Sequence, residues 1–228
     1  MAIEPVNRIW EHVFRYPLPS LASRKPPLKS TASFRGHTVG LDDRIRYFES
    51  EGESKICDVL SVRQDVVEIV EQPSAIRYID QDGKDAKHTF DFRVRYVGDH
   101  VDFLAYRPTE KLTDGRFESR MRLLAAQLSR SVADEVAIVT EADADNTDVF
   151  NARLKQACRR DPPSDVDGIV AEIVDGLLGA VHVAWIVDRA GTGSAFRSVV
   201  RCIAAGILVP TTPARITPAL KVHRSSGK

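Results

Sequence analysis

Cysteine is scarce in this sequence, which limits the covalent and metal cross-links that could stabilise it. The three cysteines, Cys57, Cys158 and Cys202, are far apart among 228 residues, and no C-x-x-C pair occurs. This spacing argues against a disulfide framework and against a structural zinc site. We therefore expect three buried free thiols, as in proteins of a reducing compartment.

Long apolar runs are also missing. No stretch approaches the ~20 residues that a helix needs to span a bilayer, and no signal-peptide pattern opens the sequence. The composition, 43% hydrophobic and 28% charged, is ordinary for a globular protein with an apolar core. We expect a cytoplasmic protein with no membrane partner.

The motifs of several large enzyme classes are absent. The sequence has no G-x-x-x-x-G-K-[ST] phosphate loop, no G-x-S-x-G elbow and no H-E-x-x-H zinc motif. Its six histidines are scattered without metal-ligand spacing. These absences argue against P-loop nucleotide hydrolysis, α/β-hydrolase chemistry and zinc proteolysis.

Neither sign of charge is in excess, but the charges are unevenly placed. Lys plus Arg and Asp plus Glu each number 32, so the formal net charge is zero. No acidic residue follows Asp188, whereas seven Lys or Arg do, and residues 134–148 are acidic. Basic ends around an acidic middle are compatible with a protein that grips a phosphate backbone. The alternative is that these charges only solvate the surface.

The order of patterns along the chain predicts an arm and two domains. Residues 1–46 are predicted to form a basic arm, in which Pro17, Pro19, Pro26 and Pro27 favour an extended, irregular chain. Residues 47–145 are predicted to be an α/β (α+β) domain with a central mixed sheet flanked by helices. Residues 146–228 are predicted to be a small helical domain.

In residues 47–145 the periodicity predicts the element order α-β-β-β-α-β. A helical spacing of apolar residues predicts a first helix that includes Glu53. A β-meander follows, and then a helix and a short buried strand that is expected to be parallel to its neighbour. Strands are predicted over 65–71, 74–79, 88–96 and 101–106, which is one more than the three consecutive strands of that order. Strict alternation over 88–96 predicts that Phe90 and Phe92 share one face and that Asp91 lies on the other.

Four short motifs in this domain resemble those of one known family. They are Ser50 with Glu53, Glu71-Gln72-Pro73, Phe90-Asp91-Phe92, and the strand end Ala105-Tyr106-Arg107-Pro108. The first three are similar to the nuclease motifs of TnsA-like proteins, the endonuclease subunits of heteromeric cut-and-paste transposases. The resemblance covers about residues 30–224 and implies a restriction-endonuclease-like core. The fourth motif departs from the family pattern, Gln/Glu-x-Lys-Pro.

The resemblance also implies a metal-dependent active site. Glu53 and Asp91 would be the ligands of Mg²⁺ (or Mn²⁺), a hard cation that prefers carboxylate oxygen. Arg107 occupies the place of the family lysine and is the third catalytic candidate, although arginine cannot act as a general base. Ala105 has no group that could bind a metal, so Asp102 is considered as a replacement ligand. We expect Glu53, Asp91 and Arg107 to face one cleft.

Residues 146–228 show the pattern of a winged helix. Helices are predicted over 149–159, 166–178, 183–189 and 194–205, followed by two short strands that form a β-wing. The family resemblance likewise implies a winged-helix-like C-terminal half. Arg197 and Arg201 lie four residues apart on the last helix, so we expect both to face solvent and contact DNA, together with Arg215.

Three functions remain open from the sequence. The leading hypothesis is a TnsA-like transposition endonuclease that cleaves DNA at transposon ends, with a DDE-type transposase and an AAA+ regulator as partners implied by the resemblance. The departures at Ala105 and Arg107 favour an alternative, a catalytically inactive pseudo-nuclease that binds DNA or assists assembly. A third hypothesis is a subunit that contacts only other proteins.

Overall fold

The computed structural model describes residues 16–24 and 35–226. Within them the chain forms six α-helices and four small sheets. The helices are α1 (Glu51–Leu60), α2 (Arg116–Gln127), α3 (Asn146–Arg160), α4 (Asp165–Asp175), α5 (Val183–Arg189) and α6 (Ala195–Ala204). The strands are β1 (Gly36–Val39), β2 (Ile45–Phe48), β3 (Val66–Glu71), β4 (Ile76–Ile79), β5 (Asp85–His88), β6 (Phe92–Tyr96), β7 (Val101–Tyr106), β8 (Glu135–Val139), β9 (Val181–His182), β10 (Leu208–Pro210) and β11 (Lys221–Arg224).

The central sheet has four strands in the order β3-β6-β7-β8. The β3–β6 and β6–β7 pairs are antiparallel, whereas β8 runs parallel to β7. A parallel neighbour requires a crossover, and α2 supplies it. The predicted mixed sheet and the parallel last strand are therefore confirmed.

The strand predicted over 74–79 does not join this sheet. It forms β4, which pairs only with β5 in a separate hairpin closed by a turn at Asp80–Lys84. Gly83 has φ +75° in that turn, a conformation in which the missing Cβ avoids a steric cost. The hairpin is thus an insertion between β3 and β6, and β3 and β6 pair directly.

The strand predicted as continuous over 88–96 is also wrong. β5 ends at His88 and β6 begins at Phe92, so residues 89–91 link the hairpin to the central sheet. Alternation is lost in that link: Phe90 packs against the α2 face and Phe92 against the α1 face. The sequence shows an unbroken alternation because Phe90, Phe92 and Val94 are all buried, although in different cores, whereas Arg93 and Arg95 are half-exposed and contact Glu68.

The two faces of the central sheet have different cores. On one face, apolar residues of α1, β3, β6 and α3 surround Phe92 and Leu104. On the other, residues of α2 and the β4–β5 hairpin surround Phe103 and Ala105. Because side chains of a strand alternate, successive residues of β7 enter opposite cores.

The described part of the N-terminal arm is more regular than predicted. β1 and β2 form an antiparallel hairpin, and Leu18 bridges to Arg44 beside it. Prolines Pro17 and Pro19 precede the hairpin and Pro26 and Pro27 lie outside the described residues, so nothing in 36–48 prevents strand pairing.

The C-terminal part has a third core. Apolar residues of α4, α5 and α6 pack with the three-stranded sheet β10-β11-β9, and Cys158 of α3 joins them. Cys57 and Cys158 are buried and Cys202 is half-buried, and all three are free thiols. Burial raises the pKa of Cys57 to about 12, so this thiol is not reactive at neutral pH.

No helix in residues 16–24 and 35–226 is both long and apolar enough to cross a membrane.

Candidate carboxylate site

Glu53 is placed by the start of α1. Ser50 is the N-cap of this helix, and its Oγ accepts a hydrogen bond from the Glu53 backbone N–H at 3.1 Å. The Glu53 carboxylate reaches back, with Oε2 accepting from the Glu49 N–H at 2.9 Å and Oε1 from the Ser50 hydroxyl at 2.8 Å. The Ser-x-x-Glu spacing therefore fixes the helix start through the Ser50 cap and the carboxylate through the Glu49 N–H, which takes the place of the Ser50 N–H of a full capping box.

Asp91 lies where β6 separates from the hairpin. Its Oδ2 accepts a hydrogen bond from the Tyr106 backbone N–H at 2.6 Å, in place of a carbonyl from the neighbouring strand. Its Oδ1 accepts from Gln72 Nε2 at 3.3 Å. The carboxylate is therefore held at the edge of the sheet where β3 ends, β6 begins and β7 ends.

Gln72 organises this edge, and its role was not predicted. It is 1% exposed and has φ +44°, which is costly for a residue with a Cβ. Its side chain joins Asp91 to Arg24, whose Nε donates to Gln72 Oε1 at 2.9 Å. Its backbone N–H donates to the Asp91 carbonyl at 2.9 Å. The signal in the sequence is Glu71-Gln72-Pro73, in which the proline fixes the chain just after the strained residue.

Arg24 brings the N-terminal segment to the same edge. Besides Gln72, its guanidinium contacts Glu49, with Nη2 3.2 Å from Oε2. Ser23 donates hydrogen bonds from its backbone N–H and its hydroxyl to the Gln72 carbonyl, each at 2.9 Å. The segment that was predicted as a basic, irregular arm therefore contacts the site through residues 20–24.

The ionised forms of the carboxyl groups at this edge are unfavourable, so their pKa values are raised. Burial and the nearby charge of Glu53 raise the pKa of Asp91 to about 7, and the hydrogen bonds from Tyr106 and Gln72 offset only part of this rise. Burial also raises the pKa of Glu53, although hydrogen bonds from Glu49 and Ser50 and the charge of Arg24 lower it. Two carboxyl groups that repel one another in a desolvated place are typical of functional sites.

Glu71 is a further buried carboxyl group near this edge. It is 1% exposed, its Oε1 accepts hydrogen bonds from the Ser20 hydroxyl and the Tyr47 N–H, and its Oε2 has no partner among the described residues. Burial raises its pKa above the usual range. Its contacts with Ser20 and Tyr47 give it a structural role in joining the N-terminal segment to β3.

No model of a known protein family matches this chain. A search of curated proteins also found no match. The assignment of a function therefore depends on the residues themselves.

Arg107 does not face Glu53 and Asp91, and this expectation is wrong. Leu104 and Tyr106 pack in the core under α1, whereas Phe103 and Ala105 pack in the core under α2. Arg107 points to the same side as Phe103 and Ala105, and its guanidinium carbon lies 5.1 Å from the centre of the Phe117 ring of α2. Ala105 lies on the same side of the sheet, since it is 1% exposed and belongs to the apolar core under α2.

Asp102, considered from the sequence as a further metal ligand, does not lie at the edge that holds Asp91. It lies four residues before Tyr106 on β7, which corresponds to about 13 Å along a strand. There its Oδ1 is 2.8 Å from His100 Nε2, and the ligand atoms of His100, Asp102 and Glu135 lie within 4.8 Å of one another. One imidazole and two carboxylates can hold a divalent cation, but this set is at the opposite end of the strand from Asp91.

The three arginines predicted to contact DNA have different surroundings. Arg197 is exposed and pairs with Asp161 at 3.1 Å. Arg215 is exposed and stacks on Phe150 of α3, with 5.1 Å to the ring centre. Arg201 does not face solvent as expected, because its guanidinium pairs with Asp167 at 2.6 Å and donates to the carbonyls of Cys158, Asp161 and Pro162. It ties the α3–α4 link to α6.

Proposed function

We propose that this chain is a metal-dependent DNA endonuclease of the TnsA-like type, with Glu53 and Asp91 as the metal-binding carboxylates. The observation that supports the proposal is a chain of polar contacts from Glu53 through Glu49, Arg24 and Gln72 to Asp91, together with the burial that raises the pKa of both carboxyl groups. Neither group is neutralised by a direct ion pair with a described lysine or arginine. A buried carboxylate pair without a cation is unfavourable for folding, so its presence favours a functional role.

The residues at this edge fit Mg²⁺ or Mn²⁺. All the side-chain donors are oxygens, which these hard cations prefer, and Mg²⁺ commonly binds through one or two carboxylates while it keeps several waters. When bound, such a cation supplies charge stabilisation for a phosphodiester and a more acidic water. A bound cation would also relieve the repulsion between Glu53 and Asp91.

The protein's own residues would orient the carboxylates. The Tyr106 N–H and Gln72 hold Asp91, and the Glu49 N–H and the Ser50 hydroxyl hold Glu53. Arg24 fixes Gln72 in turn. Such supporting hydrogen bonds limit the motion of the ligands and so favour a defined geometry for the reacting phosphate.

A second candidate function is a catalytically inactive DNA-binding or assembly factor on the same scaffold. Two observations favour it. Ala105 packs in the core under α2, so β7 supplies no third side-chain ligand at the carboxylate edge. The Arg107 guanidinium lies at Phe117 and so brings no positive charge to that edge. An Ala105→Gln change would bury an amide in the core under α2, so restoring the family motif is not a usable test.

The finer architecture and the partners are part of the same proposal. The sequence motifs support a restriction-endonuclease-like core, and α4, α5 and α6 followed by β10 and β11 support a winged-helix-like C-terminal half. Arg197 and Arg215, being exposed, are the C-terminal residues we propose to contact DNA. A DDE-type transposase and an AAA+ regulator would complete the transposition machinery.

The experiment is nicking of supercoiled plasmid DNA by the purified protein with Mg²⁺ or Mn²⁺. We expect slow nicking that falls by about 10²–10³-fold in Asp91→Asn and Glu53→Gln, since each removes one positioned charged group. Asp102→Asn is the matched control, because it removes a carboxylate from the other end of β7. Mn²⁺ should also raise the melting temperature of the native protein but not that of Asp91→Asn.

The outcomes separate the two candidates. Absence of nicking in the native protein, together with DNA binding and no stabilisation by Mn²⁺, would establish the inactive factor. Equal nicking by the native protein and Asp91→Asn would place the active site elsewhere.

A further inference from the structure

We propose that Arg107 and Arg120, stacked on Phe117, form a clamp that binds a DNA backbone phosphate beside the carboxylate edge. This inference rests on the proposed DNA substrate, but it concerns a surface on the other face of β7. It assigns Arg107 a positioning role in place of the catalytic role expected from the sequence, and it adds Arg120 as its partner.

The geometry brings two cations to one aromatic ring. The guanidinium carbons of Arg107 and Arg120 lie 5.1 and 5.0 Å from the centre of the Phe117 ring. Arg107 comes from the end of β7 and Arg120 from the second turn of α2, so the two chain segments converge at this point. Stacking on an aromatic ring holds a guanidinium flat and leaves its N–H groups at the rim free to donate.

The two arginines have no carboxylate partner within the described chain. Neither is within 4.0 Å of a carboxylate oxygen of the described residues, unlike Arg63, Arg93 and Arg153, which each form an ion pair. The Arg107 Nε is buried and has no hydrogen-bond partner in that part of the chain. Two like charges at one ring repel one another, and an anion with several acceptor oxygens would remove that repulsion.

Neighbouring groups support an anion more than a cation. Phe117 lies in the first turn of α2, where the helix dipole favours an anion, and Gly115 at the N-cap position has no side chain to cap the helix. Burial and the charge of Arg120 lower the pKa of the adjacent His88 to about 4. The nearby acids are Asp114, which bonds to the Arg116 N–H, and Glu118, whose Oε2 is buried and unpartnered.

The position relative to the carboxylates defines what the clamp does. Arg107 directly follows Tyr106, whose N–H holds Asp91. A phosphate bound by Arg107 and Arg120 would therefore belong to the nucleotides next to the one at the carboxylate edge. The clamp orients the strand and contacts no reacting atom, so it should affect binding and KM more than kcat.

The test measures binding of a short fluorescent DNA duplex by anisotropy, without added metal, over a series of salt concentrations. For Arg107→Gln/Arg120→Gln we expect weaker binding and a slope of log K against log salt that is reduced by about 1.8, as expected for two phosphate contacts. Arg120→Lys keeps the charge and should retain the slope. Arg122→Gln/Arg130→Gln is the control: it removes the same charge, and Arg122 is two residues from Arg120, which places it on another side of α2.

Arg120→Gln is also measured alone, because Arg120 is exposed and its replacement should leave the fold intact even if the double variant does not fold. A slope unchanged from the native protein in both variants would overturn the clamp while leaving the proposed function intact. An equal loss in the Arg122→Gln/Arg130→Gln control would also overturn it, because the effect would be one of net charge. If the native protein binds no DNA, the proposed function and the clamp both fail.

Discussion

At the scale of single residues, the carboxylate edge shows how one side chain can serve structure and function together. The Asp91 carboxylate accepts the hydrogen bond from the Tyr106 N–H that a carbonyl of a neighbouring strand would otherwise accept. The side-chain oxygen of an asparagine could accept the same hydrogen bond. A charged group is unnecessary for that task and unfavourable in a partly buried place. The charge is therefore explained better by what it would bind than by what it stabilises.

The first prediction concerns pH. The pKa of Asp91 is about 7 in the folded protein and about 3.9 in an unfolded chain, so between these values the folded state holds a proton that the unfolded state has released. The free energy of unfolding should therefore decrease as pH rises from about 4 to 7, by at most about 1.4 kcal/mol per pH unit from this group. Urea unfolding at several pH values, without divalent cations, measures this slope.

Asp91→Asn provides the control for that slope. The variant keeps an oxygen acceptor for the Tyr106 N–H but has no titrating group, so its stability should depend less on pH than that of the native protein. Some slope should remain, because burial also raises the pKa values of Glu53 and Glu71. An identical pH dependence in the two proteins would mean that Asp91 is ionised throughout.

At the scale of elements, the sequence predicted the helices better than the strand pairing and the direction of side chains. Periodicity located α1, α2 and β8 correctly because each has a single buried face or a short apolar run. It failed at 88–96, where Phe90 and Phe92 are buried in different cores and a change of core leaves no trace in the hydrophobic pattern. The orientation of Arg107 could not be predicted either, because the face of the sheet to which a residue points depends on the strand register, which the sequence does not show.

The sequence predicted some residues of the candidate site and missed others. Glu53 and Asp91 were found because short motifs contain them, whereas Gln72 and Arg24 act through contacts between residues 48 positions apart. Arg201 was expected on a surface because its spacing from Arg197 is helical, yet its partners lie 34 to 43 residues away. Long-range polar partners of this kind cannot be inferred from local spacing.

The second prediction concerns the contact between the end of α6 and the central domain. Gly206 has φ +71°, and a Cβ there would lie 2.6 Å from Gln64 Nε2, which donates to the Ala204 carbonyl. Gly206→Ala should therefore lose about 1 kcal/mol from the backbone conformation and more from displacing Gln64. Thermal or urea unfolding measures the loss.

Gly191→Ala is the matched variant for this element. Gly191 has φ +72°, but nothing lies within 4 Å of a Cβ placed there, so only the backbone cost of about 1 kcal/mol applies. The difference between the two variants isolates the Gln64 contact. Equal losses would show that Gln64 moves aside without consequence.

At the scale of the whole molecule, α3 connects the central sheet with the C-terminal part. Val149 of α3 is buried with the residues under α1, and Cys158 near its other end is buried in the C-terminal core. Asp58 of α1 accepts hydrogen bonds from Arg153 Nε at 2.7 Å and from Gln156 Nε2 at 3.3 Å. A boundary at 145/146, as predicted from the sequence, would separate the sheet from part of its own core.

The last prediction tests that boundary with two fragments, residues 1–145 and 1–160. The longer fragment keeps Val149 and the Asp58–Arg153 ion pair, and burial of a valine side chain alone is worth about 1.5 kcal/mol or more. We expect 1–160 to unfold cooperatively at a higher urea concentration than 1–145, as followed by circular dichroism. The apolar face that α3 turns to the C-terminal core will be exposed in 1–160, so Leu154→Gln in that fragment controls for aggregation. Equal unfolding midpoints would show that α3 belongs to the C-terminal domain alone, and the original boundary would then stand.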